Sequence, residues 1–181
     1  MEFDTLVLKI IGPVLNNYGY EEKIGINQVS FILNDFYILI NYDEREKSNS
    51  VYFGKYPNLY PLNEKVIKNL FLIDIHLQNL PIKEFLENLK DFFINNGSLL
   101  VAVDEPEIRR FIEETHILNK KYTDNLINEQ NLALAEIEWE KGNYLKFLFY
   151  VGKLENLFLK ESFKLKIHIA KSKIYKGAIK D

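Results

Sequence analysis

Apolar positions in residues 2–18 recur at helical spacing: Phe3, Leu6, Val7, Ile10, Ile11, Val14, Leu15 and Tyr18. That period predicts an amphipathic helix. Gly12-Pro13 interrupts it, and a proline inside a helix removes a backbone bond and crowds the preceding turn. A kink or two shorter helices is expected, ended at Gly19. From Tyr20 to Gly54 the period changes to two. Val29-Ser30-Phe31 alternates, Asn34-Asp35 marks a tight turn, and Phe36 to Tyr42 is rich in strand formers. The polar stretch Asp43–Ser50 then reads as a loop before Val51-Tyr52-Phe53. An antiparallel meander of three or four strands follows, with the first helix on its apolar face. Pro57 and Pro61 make 55–63 an irregular crossing, Asn63-Glu64-Lys65-Val66 starts a short helix, and Leu70–Leu77 fits a strand or a buried helix equally well.

The second half is dominated by the longer period. Ile82, Phe85, Leu86, Leu89, Phe92 and Phe93 form the stripe of a helix over Pro81–Asn95 that stops at Asn96-Gly97. Ser98–Val103 is an apolar run of either type. Asp104-Glu105-Pro106-Glu107 opens another helix, with acids at its positive end and proline in its first turn. A long helix is expected from about Asn119 to Lys141. Its residues split into two apolar groups: Leu126, Ala133 and Ile137 with Ile127 and Leu134, and separately Leu132, Ala135 and Trp139. A helix apolar on two sides is expected to be sandwiched. Glu129, Glu136 and Glu140 form an acidic ridge between those sides. Gly142 ends this helix, and the next starts at Asn143–Tyr144. It is apolar almost all round, through Tyr144, Leu145, Phe147, Leu148, Phe149, Tyr150 and Val151, which predicts packing on several sides. Ser162–Tyr175 fits a strand through Phe163, Leu165, Ile167 and Ile169, and a helix through Phe163, Ile167, Ala170 and Ile174. Lysines on the remaining side favour the helix.

The fold class expected is therefore α+β: a small antiparallel sheet with an N-terminal helix, then a mostly helical C-terminal half. The division falls at residues 1–80 and 81–181, within one unit or two small ones. With 181 residues, 47% hydrophobic and 27% charged, the composition is that of an ordinary globular protein. Cysteine is absent, so disulfides, thiol nucleophiles and cysteine metal sites are excluded. Met1-Glu2-Phe3-Asp4 places acids where a signal peptide carries bases, and no apolar run is long enough for a membrane span, so a cytoplasmic location is expected.

Net charge is −3 and unevenly spread. Residues 81–158 hold 9 bases and 14 acids, whereas 159–181 hold 7 bases and 2 acids. The basic end reads as a solvated, lysine-rich last helix. Arginine occurs only at Arg45, Arg109 and Arg110, which argues against nucleic-acid recognition.

Reactive chemistry leaves no signature. His76, His116 and His168 each stand apart, without the i, i+4 spacing of a helical metal site. Gly54-Lys55 lacks the glycine and the Ser/Thr of a phosphate loop, and Gly97-Ser98-Leu99 lacks the frame of a nucleophile elbow. The acids of Asp43-Glu44-Arg45-Glu46 and of 104–107 fall in a loop and at a helix start, where solvation keeps carboxylates ordinary. No catalytic residue, metal or cofactor is expected.

Two stretches carry a resemblance. One is helix, then Tyr18-Gly19-Tyr20, then the strands of Val29–Tyr42. The other is Phe85–Leu100, F-L-E-N-L-K-D-F-F-I-N-N-G-S-L-L, followed by A-E-I-E-W-E-K-G-N-Y over Ala135–Tyr144. Together they resemble low-GC bacterial proteins associated with polymorphic-toxin systems, whose members often serve as immunity proteins. The resemblance implies a binder that occludes a toxin; its motifs are packing and turn motifs. With the acidic central region it makes a basic toxin domain the expected partner, with no nucleic acid and no membrane. The expected contacts are Glu129, Glu136, Glu140, Asp43, Glu44 and Glu46. Other classes are an adaptor holding a peptide beside the Trp139–Tyr144 corner, and an enzyme marked by an enclosed pocket with a histidine and a carboxylate in reach.

Overall fold

A computed structural model describes residues 2–154 and 159–178; Lys180, part of the basic end, lies outside them. The chain packs as two units, residues 1–118 and 119–181.

In the first unit, α1 (Phe3–Ile10) and α2 (Gly12–Asn16) divide at the expected place. Pro13 sits in the first turn of α2, where its missing N–H breaks no helical bond. Val7, Ile11 and Leu15 are buried. The sheet is an antiparallel meander of five strands in sequence order: β1 (Glu21–Gly25), β2 (Gln28–Leu33), β3 (Phe36–Asp43), β4 (Ser48–Lys55) and β5 (Asn58–Pro61). The fifth strand replaces the irregular crossing expected at 55–63. Pro61 is compatible with it because β5 is an edge strand and Pro61 its last residue. Register places Phe31 opposite Ile38, Ile38 opposite Phe53 and Phe53 opposite Tyr60, with Val29, Ile40 and Val51 in the neighbouring row. These rows form the core face. The opposite face, carrying Ile32, Tyr37, Leu39 and Tyr52, is half-buried.

Beyond the sheet come α3 (Glu64–Phe71), α4 (Ile82–Asn95), α5 (Ser98–Val101) and α6 (Glu105–Glu140). Leu70–Leu77 is thus the end of a helix and then a loop, with Leu72 in the left-handed conformation at φ 56°. The stripe of α4, the apolar run of α5 and Ile108 and Phe111 of α6 join the sheet in one core. That shared core is why the chain divides into its units after Leu118, whereas the change of hydrophobic period lies near residue 80. Helices expected to start separately at Asp104 and Asn119 are a single helix of 36 residues. Nothing between Pro106 and Gly142 is a glycine or proline, so no residue stops it.

The second unit holds α6 from Asn119 onward, α7 (Tyr144–Val151) and α8 (Glu161–Ala178). Gly142 takes φ 71° at the end of α6, and the Asn143 side chain accepts the Lys146 N–H to cap α7. The ambiguous segment 162–175 is helical. Ala135, Phe147, Phe163 and Ala170 are buried, with Leu132, Trp139, Tyr144, Leu148 and Ile167 packed on them. Among the described residues, no helix is long and apolar enough to cross a membrane.

Candidate interaction surface

The second unit wears much of its apolar surface outside. On α6 the inward residues are Asn128, Asn131 and Ala135, joined by Leu132 and Trp139. The other apolar group faces away: Leu126, Ile127, Leu134 and Ile137 are 41% to 48% exposed, and Tyr122 is 68% exposed. The helix is therefore not sandwiched within the described residues, contrary to the expectation from its two apolar sides. Ala135 and Ala170 of α8 lie in the same buried cluster, where short side chains let helices approach closely. The expectation for α7 is corrected in the same way. Phe147 alone on it is fully buried, while Leu145 (70%) and Phe149 (59%) are exposed.

Glu129, Glu136 and Glu140 are all exposed and flank the outward apolar group on one side. Lys166 of α8 lies 3.4 Å from Glu136 and 5.8 Å over the Trp139 ring. Glu129 and Glu140 form no ion pair among the described residues. On the other side of α6, Lys141 bonds Glu138 at 3.0 Å and holds its carboxyl below the usual range. The loop acids belong to the first unit, at the β3–β4 turn. There Asp43 Oδ1 accepts the N–H groups of Arg45 and Glu46, and Glu44 accepts from Asn27 Nδ2 at 2.9 Å. Asp43 and Glu44 are thus partly committed to shaping the turn, while Glu46 is exposed. Trp139 and Tyr144 pack edge-on at 5.5 Å at the corner between α6 and α7.

One histidine meets a carboxylate. His76 Nδ1 lies 3.3 Å from Glu64 Oε1, with the imidazole 68% exposed. The same oxygen accepts the backbone N–H of Leu77 at 2.6 Å and of Gln78 at 2.8 Å. Glu64 thereby ties the loop after α3 back to that helix. Burial alone pushes its carboxyl up, but the two N–H donors and His76 outweigh that and leave its pKa lowered. Stability from this group is then fully present above the unfolded carboxylate pKa and is lost as pH falls through the lower folded value. Glu64→Gln should cost about 1–2 kcal/mol at neutral pH. The gap from wild type should shrink on acidification from neutral pH, as the pH falls through the lowered folded value and the Glu64 carboxylate takes up its proton. Urea melts at neutral and acidic pH check this; a gap of constant size would show that the charge contributes nothing.

His116 Nε2 stands 3.4 Å from the Tyr60 hydroxyl, and His168 is exposed. No group of three or more metal-ligating side chains occurs among the described residues. Comparison with known families, curated proteins and solved structures finds no match. What fold and surface define is a class: an α+β protein with a five-stranded meander and a helical unit that leaves an acid-flanked apolar face uncovered.

Proposed function

We propose that this chain is a non-enzymatic binding protein that occludes a basic protein partner, in the manner of an immunity protein acting on a toxin domain. The observation that carries the reading is the outward face of α6, where Leu126, Leu134 and Ile137 lie beside Glu129 and Glu140. Apolar side chains supply desolvation at the centre of a contact, and the carboxylates at its edge steer and orient a cationic surface. An acidic flank also selects against acidic surfaces, so the partner's chemistry is basic with an apolar strip. The exposed Glu46 adds negative potential in the first unit.

The test is co-expression in the cytoplasm with the product of the adjacent gene. That product alone is expected to arrest growth, and this chain to relieve the arrest. Glu129→Lys with Glu140→Lys should weaken binding about tenfold or more and should slow association most at low salt. A toxic product left unrelieved, or relieved equally well by the reversed-charge variant, overturns the proposal.

A further inference from the structure

The last helix carries the counterpart of the α6 face. Phe163, Ile167 and Ala170 turn α8 inward, leaving Leu165 (60%), Ile169 (36%) and Tyr175 (70%) outward. Lys171 and Lys173 flank that outward strip on its two sides, and Lys176 lies within it. Two helices of one unit thus expose apolar strips of opposite electrostatic character, one edged by glutamates and one by lysines. Pairing α6 with α6 of another copy, antiparallel about a two-fold axis, sets the Glu129–Glu140 flank against itself, and like charges across such a seam oppose it. Pairing α6 with α8 of another copy sets glutamate against lysine. The outward strip of α8, from Leu165 to Tyr175, runs for about 15 Å along the helix.

We infer that the occupant of the acid-flanked face of α6, in the absence of another partner, is the lysine-flanked face of α8 from a second copy of this chain. The contact joins unlike faces, and each copy brings one of each. It holds whether or not the toxin reading is right, although both use the α6 face. Self-association therefore competes with any partner that docks there and keeps that face covered until the partner arrives.

Sedimentation velocity of the full chain at low salt is expected to show mass rising with concentration, and salt to weaken the association. Leu134→Asp with Ile137→Asp removes the α6 face, and Leu165→Asp with Ile169→Asp removes the α8 face. Each variant alone should lose about tenfold or more in association constant. Mixed, the two should form a 1:1 heterodimer, because each supplies the face the other lacks. These positions are exposed, and unchanged Trp139 emission and circular dichroism check folding. Heterodimer formation also shows that both variants are folded. Only the α6 variant should lose binding to the toxic partner, which separates this inference from the proposed function. Wild-type protein that stays monomeric at high micromolar concentration overturns the inference. So does an α8 variant that associates like wild type, or a mixture that forms no heterodimer.

Discussion

Phe147→Ala should unfold the helical unit at a denaturant concentration that leaves the sheet unit intact. Among the described residues, only four apolar residues of the second unit are fully or nearly fully buried, and two of them are alanines. Bulk in that core therefore comes from Phe147 and Phe163, whose rings lie 5.7 Å apart. Truncating a buried phenylalanine to alanine costs about 3–5 kcal/mol, the lost transfer energy plus the cavity left behind. A small unit has little reserve against such a loss. Trp139 is the sole tryptophan, and its ring sits 5.3 Å from Phe147, so its emission reports this unit alone. Urea unfolding followed by Trp139 emission should shift to a lower midpoint. Amide exchange in β2, β3 and β4 should remain slow at urea concentrations where the emission has already changed. Leu145→Ala, on the same helix but 70% exposed, should stay within about 0.5 kcal/mol of wild type. A Phe147→Ala protein within about 1 kcal/mol of wild type would show that these helices are held by something other than this core.

How far the sequence discloses this molecule depends on which feature has a period. The strands of Val29–Phe53 alternate because one face is buried, and the alternation survives in the register of Phe31, Ile38 and Phe53. Gly12-Pro13 marks the break between α1 and α2 because proline chemistry is local. β5 is hidden in the sequence because Pro61 at its end and Pro57 just before it deplete strand propensity, and edge position is a tertiary property. The unit boundary was hidden too. Composition changes where strands give way to helices, but packing changes where the core shared by α4, α5 and the sheet ends.

The candidate surface was half legible for a related reason. Helical periodicity finds both apolar sides of α6 and the acidic residues between them, but it carries no information about which side has a neighbour. Bulk suggests Leu126, Leu134 and Ile137 for the core; the structure packs Asn128, Asn131 and Ala135 instead. Leu126, Ile127, Leu134 and Ile137 are left outside together, and an exposed apolar group of that size is what makes the surface a docking candidate. Exposed leucines scattered singly would carry no such meaning.

Gly54→Ala should be the most damaging single-methyl change in the first unit. Gly54 holds φ 150° on β4, opposite Leu59 of β5. A Cβ there falls 2.4 Å from the Asn58 carbonyl oxygen, a backbone atom that no rotamer change can move. The substitution combines left-handed strain with a displaced strand and should cost about 2–4 kcal/mol. Gly19→Ala separates the two contributions. Gly19 has φ 85°, and its nearest neighbour would be a Leu33 methyl at an ordinary 3.9 Å, so only backbone strain applies, about 1 kcal/mol. The difference between the variants measures the steric contact with Asn58. Its consequence extends past the hairpin. Tyr60 of β5 covers Phe111 at 6.3 Å, and Phe111 meets Phe53 edge-on at 5.5 Å, so a strand pushed away at Gly54 uncovers the ring cluster beneath it. It also frees the hydrogen-bonding edge of β4, and an unpaired edge invites pairing between chains. Gly54→Ala should therefore lower the urea midpoint and raise light scattering on warming, with Gly19→Ala changing scattering little. Equal midpoints for the two variants would mean that β5 yields to the methyl group at no cost, and that the edge of this sheet is held less firmly than its register implies.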